Sequence, residues 1–284
     1  MTRGLADTSQ GQLHYHTAGD GPALILLHPT NLSSRFFLKV MPLLPAFRTY
    51  APDLPGFGYS DPIQGKPDIQ TYAQAVIEFM DAMRIPRAHV FGLHAGNKIG
   101  AVMARYWPDR VERLILAGMT HSLISDQTKR LASIPDYAHK LHETQKAFDP
   151  SLNLREWAII FSNLSKIWWR PKTINKNEIA DIDLRILQDE VVDLLHGRQG
   201  YGAFYRASWA FDIGETLAQV QARTLVMELA TPREARLGRQ APVLEKLMPD
   251  CRSVTVEMND SDLLYHHPDL LARHISEFLS QRQA

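Results

Sequence analysis

One octapeptide in the sequence combines a reactive side chain with a recognisable backbone demand: Val90-Phe91-Gly92-Leu93-His94-Ala95-Gly96-Asn97. An apolar run over 88–94 leads into it, and a stretch with helical spacing over 95–106 leads out. A strand that turns directly into a helix bends so sharply that its central residue takes a positive φ, and residues two positions either side must be small because the backbones nearly touch. Gly92 and Gly96 meet that demand, and Ala95 adds little bulk. Histidine tolerates positive φ better than most residues. An imidazole at the tip of such a bend faces a pocket rather than the core. Its ordinary pKa of about 6.5 suits a base near neutral pH, able to take a proton from water or from carbon. As a nucleophile it forms an acyl-imidazole that hydrolyses readily, which requires the neutral tautomer and an orienting partner. The plain alternative is a filler side chain in an inactive bend.

The elements that must hold this bend follow an alternating pattern. Residues 11–22 (GQLHYHTAGDGP) read as a strand running into a turn, 23–28 (ALILLH) as a strand buried on both faces, and 48–53 as the next strand. Residues 71–83 have helical spacing, 88–94 and 111–118 read as strands, and 95–106 as the helix between them. Such alternation predicts a parallel sheet with crossover helices. From about 124 to 210 no strand pattern occurs, only helical stretches, charges and aromatics. Strands return at 222–229 and 252–258, and 268–282 is a closing amphipathic helix. The expected fold is therefore α/β: a doubly wound, mostly parallel sheet formed by 1–123 and 211–284, with a helical cap inserted at 124–210.

The run HPTNLSSRFF, the motif Asp53-Leu54-Pro55-Gly56-Phe57-Gly58-Tyr59-Ser60, the octapeptide around His94 and VERLILAG together resemble the α/β-hydrolase superfamily. The chain is most similar to its capped branch of haloalkane dehalogenases, epoxide hydrolases and carbon–carbon bond hydrolases. That resemblance fixes a fold, not a reaction. It implies an oxyanion hole from the backbone N–H groups of Ala95 and Thr30. The chain also departs from the family. Its bend carries histidine where hydrolytic members carry serine, aspartate or cysteine, and the family's His-Gly is His28-Pro29 here. The family's triad histidine, some seven residues before a helix-opening proline, maps to Ser261 within Asn259-Asp260-Ser261-Asp262. The places where the family puts its acid read Ala230-Thr231-Pro232, with no acid before Glu234, and Met119-Thr120-His121. No standard Ser-His-Asp arrangement can be assembled from these positions.

The candidate catalytic set is accordingly His94 with Asp260 and Ser261 as partners. The alternative for 260–262 is a polar turn capping a helix, and a bolder option has Ser261 attacking with His94 as its base. The candidate pocket wall is His28, His121, Trp157, Phe161 and Trp209. For His28 and Asp53 the competing role is bracing the loops, and for His121 a hydrogen-bonded strand end. His266 and His267 fall at a helix entrance, at the rim. Glu228 interrupts an apolar strand and needs a partner, a raised pKa or exposure. The aromatic residues point to an apolar or aromatic small molecule.

Composition narrows the classes. A formal charge of zero over 284 residues offers phosphate backbones no attraction, so nucleic acid is not an expected partner. No run reaches membrane-spanning length and no signal-type segment opens the sequence, so no membrane partner and a cytoplasmic location are expected. The single Cys251 permits no intrachain disulfide. There is no H-E-x-x-H, no Cys/His metal spacing and no P-loop; GDGP at 19–22 is a turn, and no metal or cofactor is expected. The leading functional expectation is a cofactor-independent hydrolase of a small apolar ester, lactone or ketone-type substrate using His94. The alternatives are a binding protein that kept the fold, or a lyase or isomerase using His94 for proton transfer.

Overall fold

The computed structural model describes residues 1–30, 32–118, 123, 128, 181–230, 239–257 and 267–281. Eight strands form one sheet in the order β1-β2-β4-β3-β5-β6-β7-β8. They are β1 (Thr2–Thr8), β2 (Gly11–Ala18), β3 (Ala23–Leu27), β4 (Arg48–Pro52), β5 (Ala88–Leu93), β6 (Val111–Ala117), β7 (Arg223–Ala230) and β8 (Cys251–Glu257). The β1–β2 and β2–β4 pairs are antiparallel. Every pair from β4 through β8 is parallel. This is the doubly wound, mostly parallel sheet expected from the alternation, in the α/β-hydrolase architecture that the motifs resemble. The described helices are α1 (Ile69–Ala82), α2 (Ala95–Tyr106), α3 (Asp181–His196), α4 (Arg198–Ala210), α5 (Ile213–Leu217), α6 (Ala241–Leu247) and α7 (Pro268–Leu279).

Side chains alternate along each strand, so the apolar runs divide between two cores. Ile25, Leu27, Val90, Leu114, Leu116 and Val226 face the cluster built by α1, α2, α4, α5 and α6. Leu24, Leu26, Phe91, Leu93, Ile115 and Leu225 face the cluster built by α7 and the 3-10 turn Ser34–Phe37. Covered on both faces, β5 lies between β3 and β6 at the centre of the sheet, which puts the bend that follows it at the sheet's middle.

Three elements were not expected from the sequence. β1 alternates weakly, with Ala6 its one buried residue, and as an edge strand it has only one partner to satisfy. α5 and α6 are short, five and seven residues, so they carry little periodic signal. The α2 expectation of 95–106 coincides with the observed helix. The aromatics expected between 124 and 180 lie outside the described residues, whereas α3 and α4 supply helices where 181–210 was expected to be helical.

The close approach at the bend is backbone on backbone. A Cβ at Gly96 would sit 2.4 Å from the Leu27 carbonyl oxygen, and one at Gly92 would sit 2.6 Å from the Gly96 carbonyl carbon. Neither neighbour can give, unlike the end of a flexible side chain. Gly96→Ala is expected to lower stability by at least about 2 kcal/mol, the scale of overpacking a tight site. Urea unfolding of the variant against the parent protein checks this, and an unchanged midpoint would contradict the contact.

Candidate active site

His94 has φ 50° and ψ −106°, and Arg84 is the other non-glycine residue with positive φ among those described. Such a conformation costs of order 1–3 kcal/mol and persists only where the surroundings over-determine it. Here they do. The His94 amide donates to the Ala117 carbonyl at 2.9 Å, tying the bend to the end of β6. Asn97, fully buried in the first turn of α2, donates from Nδ2 to the carbonyls of Ala117 and Gly118, each at 2.9 Å. Its Oδ1 accepts from the Ala117 amide at 3.1 Å. The strand before the bend, the helix after it and the neighbouring strand end are thereby one unit. His94 itself is half-buried.

Ala95 opens α2, so its N–H is among those of the first turn that lack an intrahelical acceptor. Thr30 is half-buried in the loop after β3. That loop is set by His28, whose ring is wholly buried. Its Nδ1 donates to the Pro29 carbonyl at 2.9 Å and its Nε2 accepts from the Leu54 amide at 2.9 Å. Burial holds its pKa below the ordinary value. Both ring nitrogens are spent on backbone, so the neutral ring braces two loops, the first of which carries Thr30, and presents no surface to a ligand.

Trp209 is buried at the end of α4, tilted against Tyr205 and lying 5.9 Å from the Lys98 ammonium. Lys98 follows His94 by one helical turn. Its Nζ donates to the Ser208 carbonyl and, at 2.9 Å, to the Ser208 hydroxyl, joining α2 to α4. The remaining candidates, His121, Trp157, Phe161, Asp260 and Ser261, lie outside the described residues, as do Glu234, Asp262 and His266. His267 is exposed at the start of α7. Glu228 accepts from the amides of Gln240 and Ala241, at 2.7 and 3.0 Å, and from Arg239. Burial alone would raise its pKa, but these partners hold it below the ordinary carboxylate value. It is a helix-capping carboxylate.

Asp53 is the electrostatic hub beside the site. Almost wholly buried, it accepts from the Ser34 amide at 2.7 Å, the Tyr59 amide at 2.9 Å and His14 Nδ1 at 2.8 Å. Burial pushes its carboxyl up, but the bonds from His14 and Ser34 overcome that and leave the pKa below its ordinary value. The glycine motif follows from this: a Cβ at Gly58 would lie 2.1 Å from Asp53 Oδ2. Sequence reasoning read Asp53 as a loop brace but missed its partner His14, as well as Asn97 and Lys98. Lys98 left one readable mark, the single charge in the stretch Ala95–Met103.

The family model described as alpha/beta hydrolase fold matches residues 22–149. Over 124 residues the chain is 31% identical to a pimeloyl-[acyl-carrier protein] methyl ester esterase of Shewanella sp. (strain MR-7), covering 44% of this chain and 45% of that protein. Over 118 residues it is 33% identical to a 2-hydroxy-6-oxo-6-phenylhexa-2,4-dienoate hydrolase of Comamonas testosteroni, covering 39% and 41% respectively. The chain thus matches less than half the length of these relatives. Among solved structures, a hydrolase from Pseudomonas aeruginosa is similar with a TM-score of 0.75 at 22% identity, over 98% of both chains. An enol-lactonase from Burkholderia xenovorans is similar with a TM-score of 0.74 at 20% identity, over 98% of this chain and 100% of that one. The chain is an α/β-hydrolase-fold protein. Among the described residues no helix is long and apolar enough to cross a membrane, and no group of His, Cys, Asp and Glu is arranged to hold a metal.

Replacing Asp53 strands buried donors. Asp53→Asn is expected to cost about 3 kcal/mol at pH 7, the scale of leaving several buried donors to a carboxylate without their acceptor. The sign with pH is fixed by the lowered pKa: the carboxylate's contribution is full above the ordinary value and is lost as pH falls through the folded one. Urea midpoints at pH 6 and pH 3 should therefore drop further in the parent protein than in Asp53→Asn.

Proposed function

We propose that the chain is a hydrolase of a small, largely apolar ester, lactone or ketone-type substrate, with His94 as its reactive side chain, working without a cofactor. The observation that carries this reading is the His94 backbone, φ 50° and ψ −106°, held at the central strand end by glycines on either side and by Asn97. Strain maintained at such cost, on a residue whose side chain can act as base or nucleophile, is the kind of feature found where chemistry is done.

In this reading His94 acts as base toward water or as nucleophile toward an acyl carbon, and the Ala95 and Thr30 amides face the oxygen that becomes negative. Asp260 or Ser261 orients the ring. The segment 124–210 closes over the substrate as a cap, with Trp157, Phe161 and His121 in the wall. The partial likenesses to an ester hydrolase and a carbon–carbon bond hydrolase support a carbonyl substrate. A second reading, a binding protein, draws on Glu228: the strand whose end carries the acid in the resembled family spends its one carboxylate on capping α6.

His94→Ala is expected to reduce turnover of the best substrate in a panel of esters, lactones and diketones by roughly 10²–10⁴-fold. Unchanged rates would remove His94 from the mechanism. A serine-directed phosphonate should leave the protein unlabelled; labelling at Ser261 would instead support serine attack assisted by His94. Absence of turnover, combined with a small molecule retained in native mass spectrometry, would favour the binding reading.

A further inference from the structure

The face of α3 that meets the core carries a charge arrangement that the hydrolytic reading does not use. Asp193 on α3 is buried, 4% exposed, and sits against the 3-10 turn after β3. The Ser33 hydroxyl donates to its Oδ1 at 3.0 Å, and Arg35 Nη1 lies 3.7 Å from the same oxygen. Arg35 is shared, since its other terminal nitrogen pairs with Asp189 one turn earlier on α3. Asp53, from the end of β4, is near enough to act on Asp193 electrostatically. One guanidinium therefore serves two carboxylates, with a third close by.

Other titratable groups reach the seam from β2, β1 and the β4 loop. His14 pairs with Asp53, and His16 Nδ1 shares a hydrogen bond with the Ser34 hydroxyl at 2.8 Å. His16 is held below its ordinary pKa by burial first, then by His14, and its neighbours include Arg3 on β1 and Arg35. Tyr59 packs edge-on between His14, at 5.4 Å, and His196 at the end of α3, at 4.9 Å. The backbones of Gly56 and Gly200 touch beside them; a Cβ at Gly200 would meet the Gly56 carbonyl oxygen at 2.5 Å. No side chain cushions that contact, so α4 starts with its backbone seated directly on the loop after β4.

We propose that this seam is a pH-dependent latch, in which α3 is seated on the Ser34–Phe37 turn while Asp193 carries a proton and is loosened as Asp193 ionises. A protonated Asp193 still accepts from Ser33 and adds no charge to the crowded cluster. Ionised, it is a buried carboxylate beside Asp53 and Asp189, with half a share of Arg35, and water is the better environment. Burial, with those two carboxylates adding to it, pushes the group up to about 7 despite Arg35 and Ser33. On lifting, it returns toward its ordinary value near 3.8. The lifted state therefore binds fewer protons between the two values, so the seated state is favoured in acid, loses ground as pH rises to about 7, and changes little above. Ser33 lies three residues after Thr30, so the latch acts on the loop that would supply an oxyanion donor. The latch is independent of whether His94 performs hydrolysis.

Hydrogen–deuterium exchange of the full chain at pH 5, 6, 7 and 8, corrected for intrinsic exchange, tests this. The opening constant for peptides within 185–196 should rise by up to about tenfold per pH unit from 5 to 7 and level off by 8, while α1 peptides stay flat. Asp193→Asn, which mimics the protonated acid, should be flat and at least as protected at pH 8 as the parent protein at pH 5. In Ser33→Ala the carboxylate loses a donor, so the levelling should move to higher pH. A flat profile in the parent protein overturns the latch even if Asp193→Asn fails to fold. An undiminished slope in a folded Asp193→Asn overturns it equally.

Discussion

Two backbones touch at the end of β5, and the rest of the site depends on that contact. The carbonyl of Leu27 on β3 faces the Cα of Gly96, and the carbonyl of Gly96 faces the Cα of Gly92, with no room for a single carbon between them. A chain confined in this way has one path from strand to helix, and that path forces the residue at its tip to φ 50°. The hydrogen bonds around Ala117 hold the strained turn in place. They come from β6, an element paired with β5 along most of its length. Strain at the tip is thus offset by the same sheet that places the tip at the end of a central strand.

Much of this could be read from the sequence, because the constraint is local and demands particular residue types. Glycines two positions on either side of a histidine, between an apolar run and a helical run, leave little else for the chain to do, and α2 begins and ends where its spacing says. Partnerships across long separations left no comparable mark. Asn97 looks like an ordinary polar residue in a helix's first turn, yet its three bonds reach twenty residues and more along the chain. His14 and Asp53, 39 residues apart, form a buried pair that neither local sequence announces. β1 was missed for a related reason: a strand with one partner and one buried side chain has no alternation to show.

Asp53 explains why a motif can persist without touching a substrate. Its carboxylate collects the amides of Ser34 and Tyr59 and the ring of His14, and its own carbonyl accepts from the Ser60 hydroxyl at 2.7 Å. The glycine at position 58 gives the carboxylate its space. One buried charge thereby fixes the loops after β3 and β4 at once, with His28 adding a second tie between them. Since α3 seats on these same loops through Ser33, Arg35 and Tyr59, the charge of Asp53 is felt across the seam, and it is one of the reasons Asp193 resists ionisation.

The chemistry proposed for His94 also bears on what the chain lacks. A serine at the bend needs another residue to take its proton, and that residue needs a third to orient it. On the proposed reading the imidazole brings its own acceptor nitrogen, so the loop histidine would be dispensable and Ser261 in its place would cost the reaction little. An acid after β7, where the resembled family carries one, would lose its purpose at the same step; Glu228, within β7, caps α6. What an imidazole cannot dispense with is orientation, because only one nitrogen of the neutral ring accepts. On the proposed reading, part of that orientation would come from the rigidity of the turn itself, where the glycines and Asn97 are placed.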